Sequence, residues 1–264
     1  MSARVRIVGL LFVVVAIAVG ALVLSRGPGR AVVVPSPRTP VYPDLISVPL
    51  SDFLVGTEER TAVEQLRFTS TIANIGPGTL RIDGRRTDGS DQGWTVVQWL
   101  DEPDGQPSGR ITGANLVFGG HGHEHWHLKF GASYRLQAVD EANEVASQTK
   151  AGFCFFDQIR VDPEVAGAPT DRRFLAESCG ERGSTAVEMG MSVGWSDPYF
   201  WQLEDQSVDI TGLPDGEYRL TAQADPDDWL MESDETNNAT WTDLRIGTLD
   251  GGLRSVEVIG ASGE

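Results

Sequence analysis

The sequence predicts an all-β fold in which an antiparallel β-sandwich with long loops follows one apolar N-terminal helix. Runs of alternating or β-branched residues recur along the chain, and turn signals rich in glycine, proline and aspartate separate them, as at 74–78 and 213–216. The sequence after the N-terminus has no long helical periodicity, so an antiparallel sandwich is the natural architecture. Strands are predicted at 65–74, 95–100, 113–118, 124–137, 151–156, 207–210, 217–224 and 238–246.

The N-terminal residues form a hydrophobic segment. Residues 7–24 are all apolar or glycine, and Arg4 and Arg6 precede them. This pattern is typical of a signal peptide or a membrane anchor within residues 1–25. Residues 16–18 resemble a cleavage site, but the apolar run continues beyond them, which favours an uncleaved anchor with its basic end in the cytoplasm. In both cases we expect the rest of the chain outside the cell, either on the outer face of the membrane or secreted.

The remaining sequence divides into three parts by composition. Residues 26–42 are rich in proline and glycine and predict an extended linker. Residues 43–246 contain no internal repeat and predict a single domain. Residues 247–264 form a glycine-rich tail with one weak strand signal at 253–259.

The charge balance excludes one class of partner. The chain has 21 basic and 38 acidic residues, which gives a net charge of −17. Nucleic-acid binding needs a basic surface, so we expect no such partner. An acidic surface attracts a cationic substrate, although acidity also serves solubility alone.

All four histidines lie within seven residues, at positions 121, 123, 125 and 127. Side chains at alternate positions of a β-strand project from the same face, so the run predicts a metal site. Imidazole suits copper, zinc, iron and nickel, and copper(II) binds nitrogen donors most tightly. The outer two Cα atoms of a flat strand are about 13 Å apart, so the neighbouring glycines are needed for a bend. The alternative is a solvated, histidine-rich surface strand.

The two cysteines, Cys154 and Cys179, predict one disulfide, because an even pair in an exported chain most simply forms a bond. Two buried thiols are the alternative. The chain has only two lysines, Lys129 and Lys150, which lie close to the histidine run and to Cys154. A neutral lysine amine is a nucleophile towards carbonyls and quinones, although base composition alone also explains a shortage of lysine.

Six segments together resemble the catalytic domain of lysyl oxidases. Their order and approximate spacing match across about 43 to 246, and they are strong in combination although each is weak alone. The segments are 123–127 (HEHWH), 134–136 (YRL), 150–157 (KAGFCFFD), 190–199 (GMSVGWSDPY), 208–220 (VDITGLPDGEYRL) and 232–238 (ESDETNN).

The resemblance implies a copper amine oxidase with a quinone cofactor made from its own side chains. The copper ligands would be His123, His125 and His127, and His121 lies outside the matched triplet. The cofactor, lysyl tyrosylquinone, would form from Lys150 and Tyr199. The implied reaction deaminates primary amines oxidatively, with oxygen as co-substrate and with aldehyde, hydrogen peroxide and ammonia as products. An ordinary core tyrosine is the alternative for Tyr199.

The candidate catalytic base is Asp197 or Asp157, with Asp197 preferred. The choice rests on their nearness in sequence to the cofactor residues, and a turn or capping role is an equal alternative for each.

The resemblance also implies a calcium site near the two ends of the domain. The site would join a Pro-Asp-Leu segment at the domain start to the acidic segment 232–238, where hard oxygen ligands of the kind that calcium prefers are concentrated. A polar β-turn is the alternative. The implied ligands are Asp44, Leu45, Glu232, Asp234, Asn237 and Asn238.

The chain departs from the animal members of the family in two respects. It has two cysteines instead of several disulfides, and Trp195 and Ser196 replace a cysteine-bearing stretch. We therefore expect a smaller and simpler microbial relative whose substrate need not be collagen or elastin. Peptidyl lysine and small amines are both candidate substrates. A non-catalytic extracellular metal-binding β-sandwich is the main alternative function. A mononuclear copper or zinc enzyme without a quinone is a third.

Overall fold

A computed structural model of the protein describes residues 40–58, 62–88, 90, 92–119, 124–129, 131–140, 144–149, 152–161, 165–203 and 206–263. This part of the chain is built from β-strands and one 3₁₀ turn, and the all-β antiparallel class is confirmed. The predicted N-terminal helix lies outside the described residues. The strands are β1 (Leu45–Glu58), β2 (Val63–Asn74), β3 (Leu80–Arg85), β4 (Thr95–Leu100), β5 (Ser108–Ile111), β6 (Leu116–Phe118), β7 (Trp126–Leu128), β8 (Ala132–Ala138), β9 (Glu144–Thr149), β10 (Ile159–Arg160), β11 (Ala186–Met191), β12 (Trp195–Tyr199), β13 (Ser207–Asp209), β14 (Gly216–Ala224), β15 (Ala239–Thr248) and β16 (Arg254–Ala261).

The first sheet has the strand order β1-β2-β12-β10, and β13 also pairs with β2. Strands β1 and β2 form a long antiparallel pair whose register shifts on both sides of Ser51. Strand β12 pairs with β2 so that Tyr199 lies opposite Ser70. All five residues of β12 are buried. This pairing fixes the position of the proposed cofactor tyrosine inside the domain.

The third sheet has the order β16-β15-β14-β8-β9 and faces the first sheet across the main core. Phe68 on β2 and Tyr134 on β8 make an edge-to-face ring contact with centroids 4.8 Å apart. Both side chains are almost fully buried. Aromatic pairs in this geometry stabilise a fold by more than the burial of their apolar area alone would. The contact therefore joins the two five-stranded sheets.

The second sheet has the order β11-β3-β4-β5, and strands β6 and β7 form a separate two-stranded hairpin. We call β6 and β7 the histidine hairpin. It packs against the second sheet at Gly84, where an added Cβ would lie 2.5 Å from the Leu116 side chain. A larger residue at this position would push the histidine hairpin away from the sheet.

The structure differs from the predicted strands in several places. In the predicted strand 151–156, the described residues 152–156 form no strand, and only Phe153 makes a β-bridge, to Leu128. Strands β1, β3, β5, β9, β10 and β11 lie outside the predicted segments. The predicted strand 124–137 is two strands in different sheets, because the chain turns at Gly131 against the Phe153 ring. Strand β12 contains Pro198 and has no burial alternation, so its pattern does not predict a strand. The weak strand signal at 253–259 is confirmed by strand β16, which pairs with β15 along the edge of the third sheet.

A search of the described residues for a helix long and apolar enough to cross a membrane finds none. The predicted anchor within residues 1–25 lies outside this part of the chain and stays a prediction.

We predict that Phe68→Ala lowers the free energy of unfolding by about 3–5 kcal/mol, because it leaves a cavity between the two sheets. Phe200→Ala is the matched control, since Phe200 is 45% exposed whereas Phe68 is 0% exposed. Urea unfolding of both variants measures the difference. Equal losses in the two variants would contradict the position of the core.

Candidate active site

The histidine hairpin brings two of the predicted copper ligands together. Val117 pairs with His127 in the antiparallel register, and the Gly119 N–H donates to the His125 carbonyl over 3.0 Å. The ring centroids of His125 and His127 are 4.6 Å apart. His127 is buried and His125 is half-buried. His121 and His123 lie outside the described residues.

The donor set fits copper as far as the described residues go. Two neighbouring imidazoles offer the nitrogen donors that copper(II) prefers. Within the described ranges, no three or more His, Cys, Asp and Glu side chains are grouped to hold a metal ion. His125 and His127 would supply two ligands, and His123, the third predicted ligand, lies outside the described residues.

The segment that follows Lys150 runs alongside the histidine hairpin. Leu128 and Phe153 exchange both main-chain hydrogen bonds, over 2.7 and 2.9 Å. Gly152 lies so close to the hairpin that an added Cβ would be 2.4 Å from the His127 Cβ. Lys150 itself is outside the described residues.

Tyr199 lies against the same segment from the other side. Its phenol accepts a hydrogen bond from the Cys154 N–H over 3.0 Å, and its ring centroid is 4.4 Å from that of Phe153. Tyr199 is only 4% exposed. The residues directly after Lys150 thus contact both His127 and Tyr199. His127 and Tyr199 thus contact the same short segment, residues 152–154.

The environment keeps the Tyr199 phenol protonated. Burial raises the pKa of Tyr199 well above its ordinary value, and the negative charge of Asp197 raises it further. The hydrogen bond from Cys154 acts in the opposite direction but is weaker. A bound cation would be needed to favour the phenolate.

The structure distinguishes the two candidate bases, although both are fully buried. Asp157 accepts four hydrogen bonds, which fix the loop around it: they come from the N–H groups of Arg173, Phe174 and Ser192 and from the Ser192 hydroxyl. Asp197 is next to Tyr199 in space, and Gln158 Nε2 donates to its Oδ1 over 2.6 Å. Asp197 is therefore the better candidate, whereas Asp157 has a structural role.

The predicted disulfide is confirmed. The Sγ atoms of Cys154 and Cys179 are bonded, and the two Cα atoms are 6.0 Å apart. The alternative of two buried thiols is therefore wrong. Because Cys154 also contacts Tyr199, the bond fixes the backbone that supports the phenol.

A buried polar network behind Tyr199 was not predicted. Gln206 Nε2 donates to the Tyr199 carbonyl over 3.2 Å and to Ser70 Oγ over 3.0 Å. The Ser70 and Tyr134 hydroxyls are 2.6 Å apart, which joins the first and third sheets. Burial raises the pKa of Tyr134 to about 12. No short motif marks Gln206 or Ser70, because their roles depend on the pairing of distant strands.

Most of the predicted calcium ligands also meet. Asn237 Nδ2 donates to Asp44 Oδ1, and Asn238 Nδ2 donates to Glu232 Oε1, both over 2.9 Å. The Leu45 N–H donates a hydrogen bond to Glu232 Oε2.

The electrostatics of this cluster favour a cation. Burial raises the pKa of Glu232 to about 8. The side-chain oxygens of Asn237 and Asn238 are buried and have no hydrogen-bond partner among the described residues. Unpaired buried acceptors are costly, and a cation would satisfy them. Asp234 is exposed, and its Oδ1 instead accepts hydrogen bonds from Thr236.

Sequence comparisons relate part of the chain to one protein family. The family model described as lysyl oxidase matches residues 118–248. The human protein-lysine 6-oxidase is 32% identical over 124 residues, which cover 47% of this chain and 26% of the human protein. The pig protein of the same name is 30% identical over 124 residues and 44% of its length, and the rat protein is 30% identical over 27% of its length. The chain therefore spans less than half the length of these curated relatives.

The all-β fold, the paired histidines and the buried tyrosine describe a β-domain with a candidate metal and cofactor site. Residues 118–248, which match the family model, belong to the lysyl oxidase family.

We predict that Tyr199 stays un-ionised in the metal-free protein at about pH 10, where an ordinary tyrosine is half ionised. A pKa raised by burial means that the phenolate forms only at higher pH. The ultraviolet absorbance of tyrosinate, followed during an alkaline titration, should therefore be the same for wild type and Tyr199→Phe up to about pH 10. A smaller signal in the variant over this range would contradict the buried, neutral phenol.

Proposed function

We propose that the protein is a copper-dependent amine oxidase that uses lysyl tyrosylquinone made from Lys150 and Tyr199. One observation supports this proposal above the others: the segment that follows Lys150 packs against His127 at Gly152 and against the Tyr199 phenol at Cys154. A metal-binding module without catalysis has no need for a tyrosine at this position. The reaction would convert a primary amine, oxygen and water into an aldehyde, ammonia and hydrogen peroxide.

In this proposal, His125 and His127, together with His123, would hold the copper. Copper would supply oxygen activation, and the quinone would supply the electrophilic carbonyl and the acceptor for two electrons. Asp197 would accept the proton from the carbon next to the substrate nitrogen. Gln158 holds Oδ1 of Asp197, which orients the carboxylate for that step.

The hydrophobic surroundings have a separate role. The Phe153 ring covers the Tyr199 ring, and Phe155 stacks beside Phe153 with centroids 5.5 Å apart. These rings limit the access of water to the reacting position. The Cys154 N–H donor would stabilise negative charge on the tyrosine oxygen.

We infer that the substrates are primary amines, which include lysine side chains of other proteins. The name of the relatives, protein-lysine 6-oxidase, supports peptidyl lysine, and the net charge of −17 supports a cationic substrate. The disulfide supports an oxidising location, so we place the domain outside the cell, held to the membrane by residues 1–25 or secreted.

We further propose that calcium binds Asp44, Glu232, Asn237 and Asn238 and joins the start of the domain to its C-terminal part. The support is the pair of buried amide oxygens without partners and the buried Glu232 carboxylate beside them. The site lacks an obvious role in the reaction, so its expected contribution is to stability.

We predict that Lys150→Arg and Tyr199→Phe each abolish the crosslinked peptide and the amine-dependent release of peroxide. Arginine stays protonated and cannot add to a quinone, and phenylalanine has no phenol to oxidise. Mass spectrometry of copper-loaded protein detects the crosslink, and a peroxide assay with a primary amine measures turnover.

The chain offers matched controls for both changes. Lys129→Arg alters the second lysine, and Tyr218→Phe alters a tyrosine on β14 in the third sheet. Both controls should keep the crosslink and the activity. Full activity in Lys150→Arg or Tyr199→Phe would leave a metal-only enzyme as the better explanation, and wild type that binds copper without turnover would favour the non-catalytic module.

We predict that calcium raises the melting temperature of the protein, since a ligand that binds only the folded state adds about 2.7 kcal/mol at 100 times its dissociation constant. Glu232→Gln and Asp44→Asn should remove this dependence. Glu257→Gln on the exposed strand β16 is the control and should keep it. Melting curves recorded in chelator and in calcium test the site, and identical curves for wild type would favour the polar-turn alternative.

A further inference from the structure

Arg86 is a buried cation that the proposed reaction does not use. It follows β3 directly and is 6% exposed. Its Nε donates to the Ser184 carbonyl over 2.8 Å and its NH2 to the Arg182 carbonyl over 2.5 Å, while NH1 donates to the Ser90 carbonyl. Burying a guanidinium is costly, and these three bonds go to main-chain carbonyls rather than to a carboxylate. Other contacts must therefore offset the free-energy cost of burying the Arg86 guanidinium.

The guanidinium also lies over two indole rings. Its Cζ is 4.5 Å from the centroid of Trp126 and 4.7 Å from that of Trp94. The two rings contact each other edge to face, with centroids 4.8 Å apart. Contacts of a cation with aromatic faces strengthen when the groups are removed from water. Arg86 therefore holds Trp126, which is the residue between His125 and His127.

Trp126 has a third attachment, to the loop 181–184. Its Nε1 donates to the Glu181 carbonyl over 2.8 Å. The same loop supplies the Arg182 and Ser184 carbonyls that bind Arg86. The loop begins two residues after Cys179, which is bonded to Cys154 beside Tyr199. The back of the histidine hairpin and the support of the tyrosine thus share one anchored loop.

We propose that Arg86 is a positioning residue for the metal centre, and this inference rests on the proposed copper site. Strand β7 has three residues and pairs with an equally short β6, so the hairpin alone cannot fix its rotation. Successive side chains point to opposite sides of a strand, so a fixed Trp126 on one side sets the direction of His125 and His127 on the other. Arg86 acts through Trp126 and does not touch the metal.

The test compares Arg86→Met with Arg219→Met. Arg219 is a matched control because its Cζ lies 4.0 Å from the Trp241 centroid in the third sheet, where it also pairs with Asp243. Copper(II) affinity is measured by competition with a chelator at a temperature where both variants are folded. Backbone amide exchange of residues 124–129 is measured in the metal-free proteins. We expect Arg86→Met to bind copper at least about tenfold more weakly, as changes behind metal ligands do, and to exchange faster in this segment. Arg219→Met should match wild type in both measurements.

The outcomes separate the two proposals. Arg86→Met with wild-type copper affinity and wild-type exchange at 124–129 overturns the role of Arg86. Equal copper binding by wild type and His125→Ala contradicts the proposed copper site. The role of Arg86 in holding Trp126 is then judged on the exchange data alone. If Arg86→Met does not fold, Arg86→Lys replaces it, because lysine keeps the charge but lacks the planar guanidinium face. We then expect a smaller loss of copper affinity and a smaller increase in amide exchange at residues 124–129. Unchanged copper affinity and exchange in Arg86→Lys then count against the proposal.

Discussion

The candidate site depends on one main-chain pairing, the two hydrogen bonds that Leu128 and Phe153 exchange. This bridge holds the segment after Lys150 against the histidine hairpin. It also sets Cys154 one residue further along, where its N–H meets the Tyr199 phenol. Backbone hydrogen bonds have fixed geometry, so one short antiparallel contact positions groups from three distant parts of the chain. The disulfide and the loop after it hold the other side of the same segment.

Around this pairing the domain buries several polar side chains that come from separate segments. Asp157, Asp197 and Gln206 are all 0% exposed, and each has hydrogen-bond partners from other segments. A buried polar group is tolerable only when its bonds are satisfied, and its partners must then hold one arrangement. Asp157 fixes the loop at residues 173–174 to Ser192, and Gln206 fixes Tyr199 to Ser70. These networks provide rigidity that the short strands around the site lack.

Local patterns in the sequence predicted the fold class, the grouping of the histidines and the disulfide, whereas Tyr199 was implied only by the family resemblance. Alternation and spacing reveal these features because each is encoded within a few residues or by residue type alone. Alternation does not predict strand β12, because the strand contains Pro198 and all five of its residues are buried. The structural role of Asp157 depends on Ser192, which is 35 residues away in sequence and reaches it only through the folding of the sheets. The same reason applies to Arg86, whose partners come from two separate loops.

Gly152 carries no chemical group, yet an added Cβ would lie 2.4 Å from the His127 Cβ and 3.0 Å from the Leu128 carbonyl oxygen. Neither neighbour is the mobile end of a side chain, so the backbone itself would have to move. A saturation library of the segment 152–158 should therefore tolerate less variation at this glycine than at half-buried Phe156. Sensitivity to substitution here would reflect the closeness of two segments of the chain, and a residue without a chemical role can be the least replaceable one near the candidate metal site.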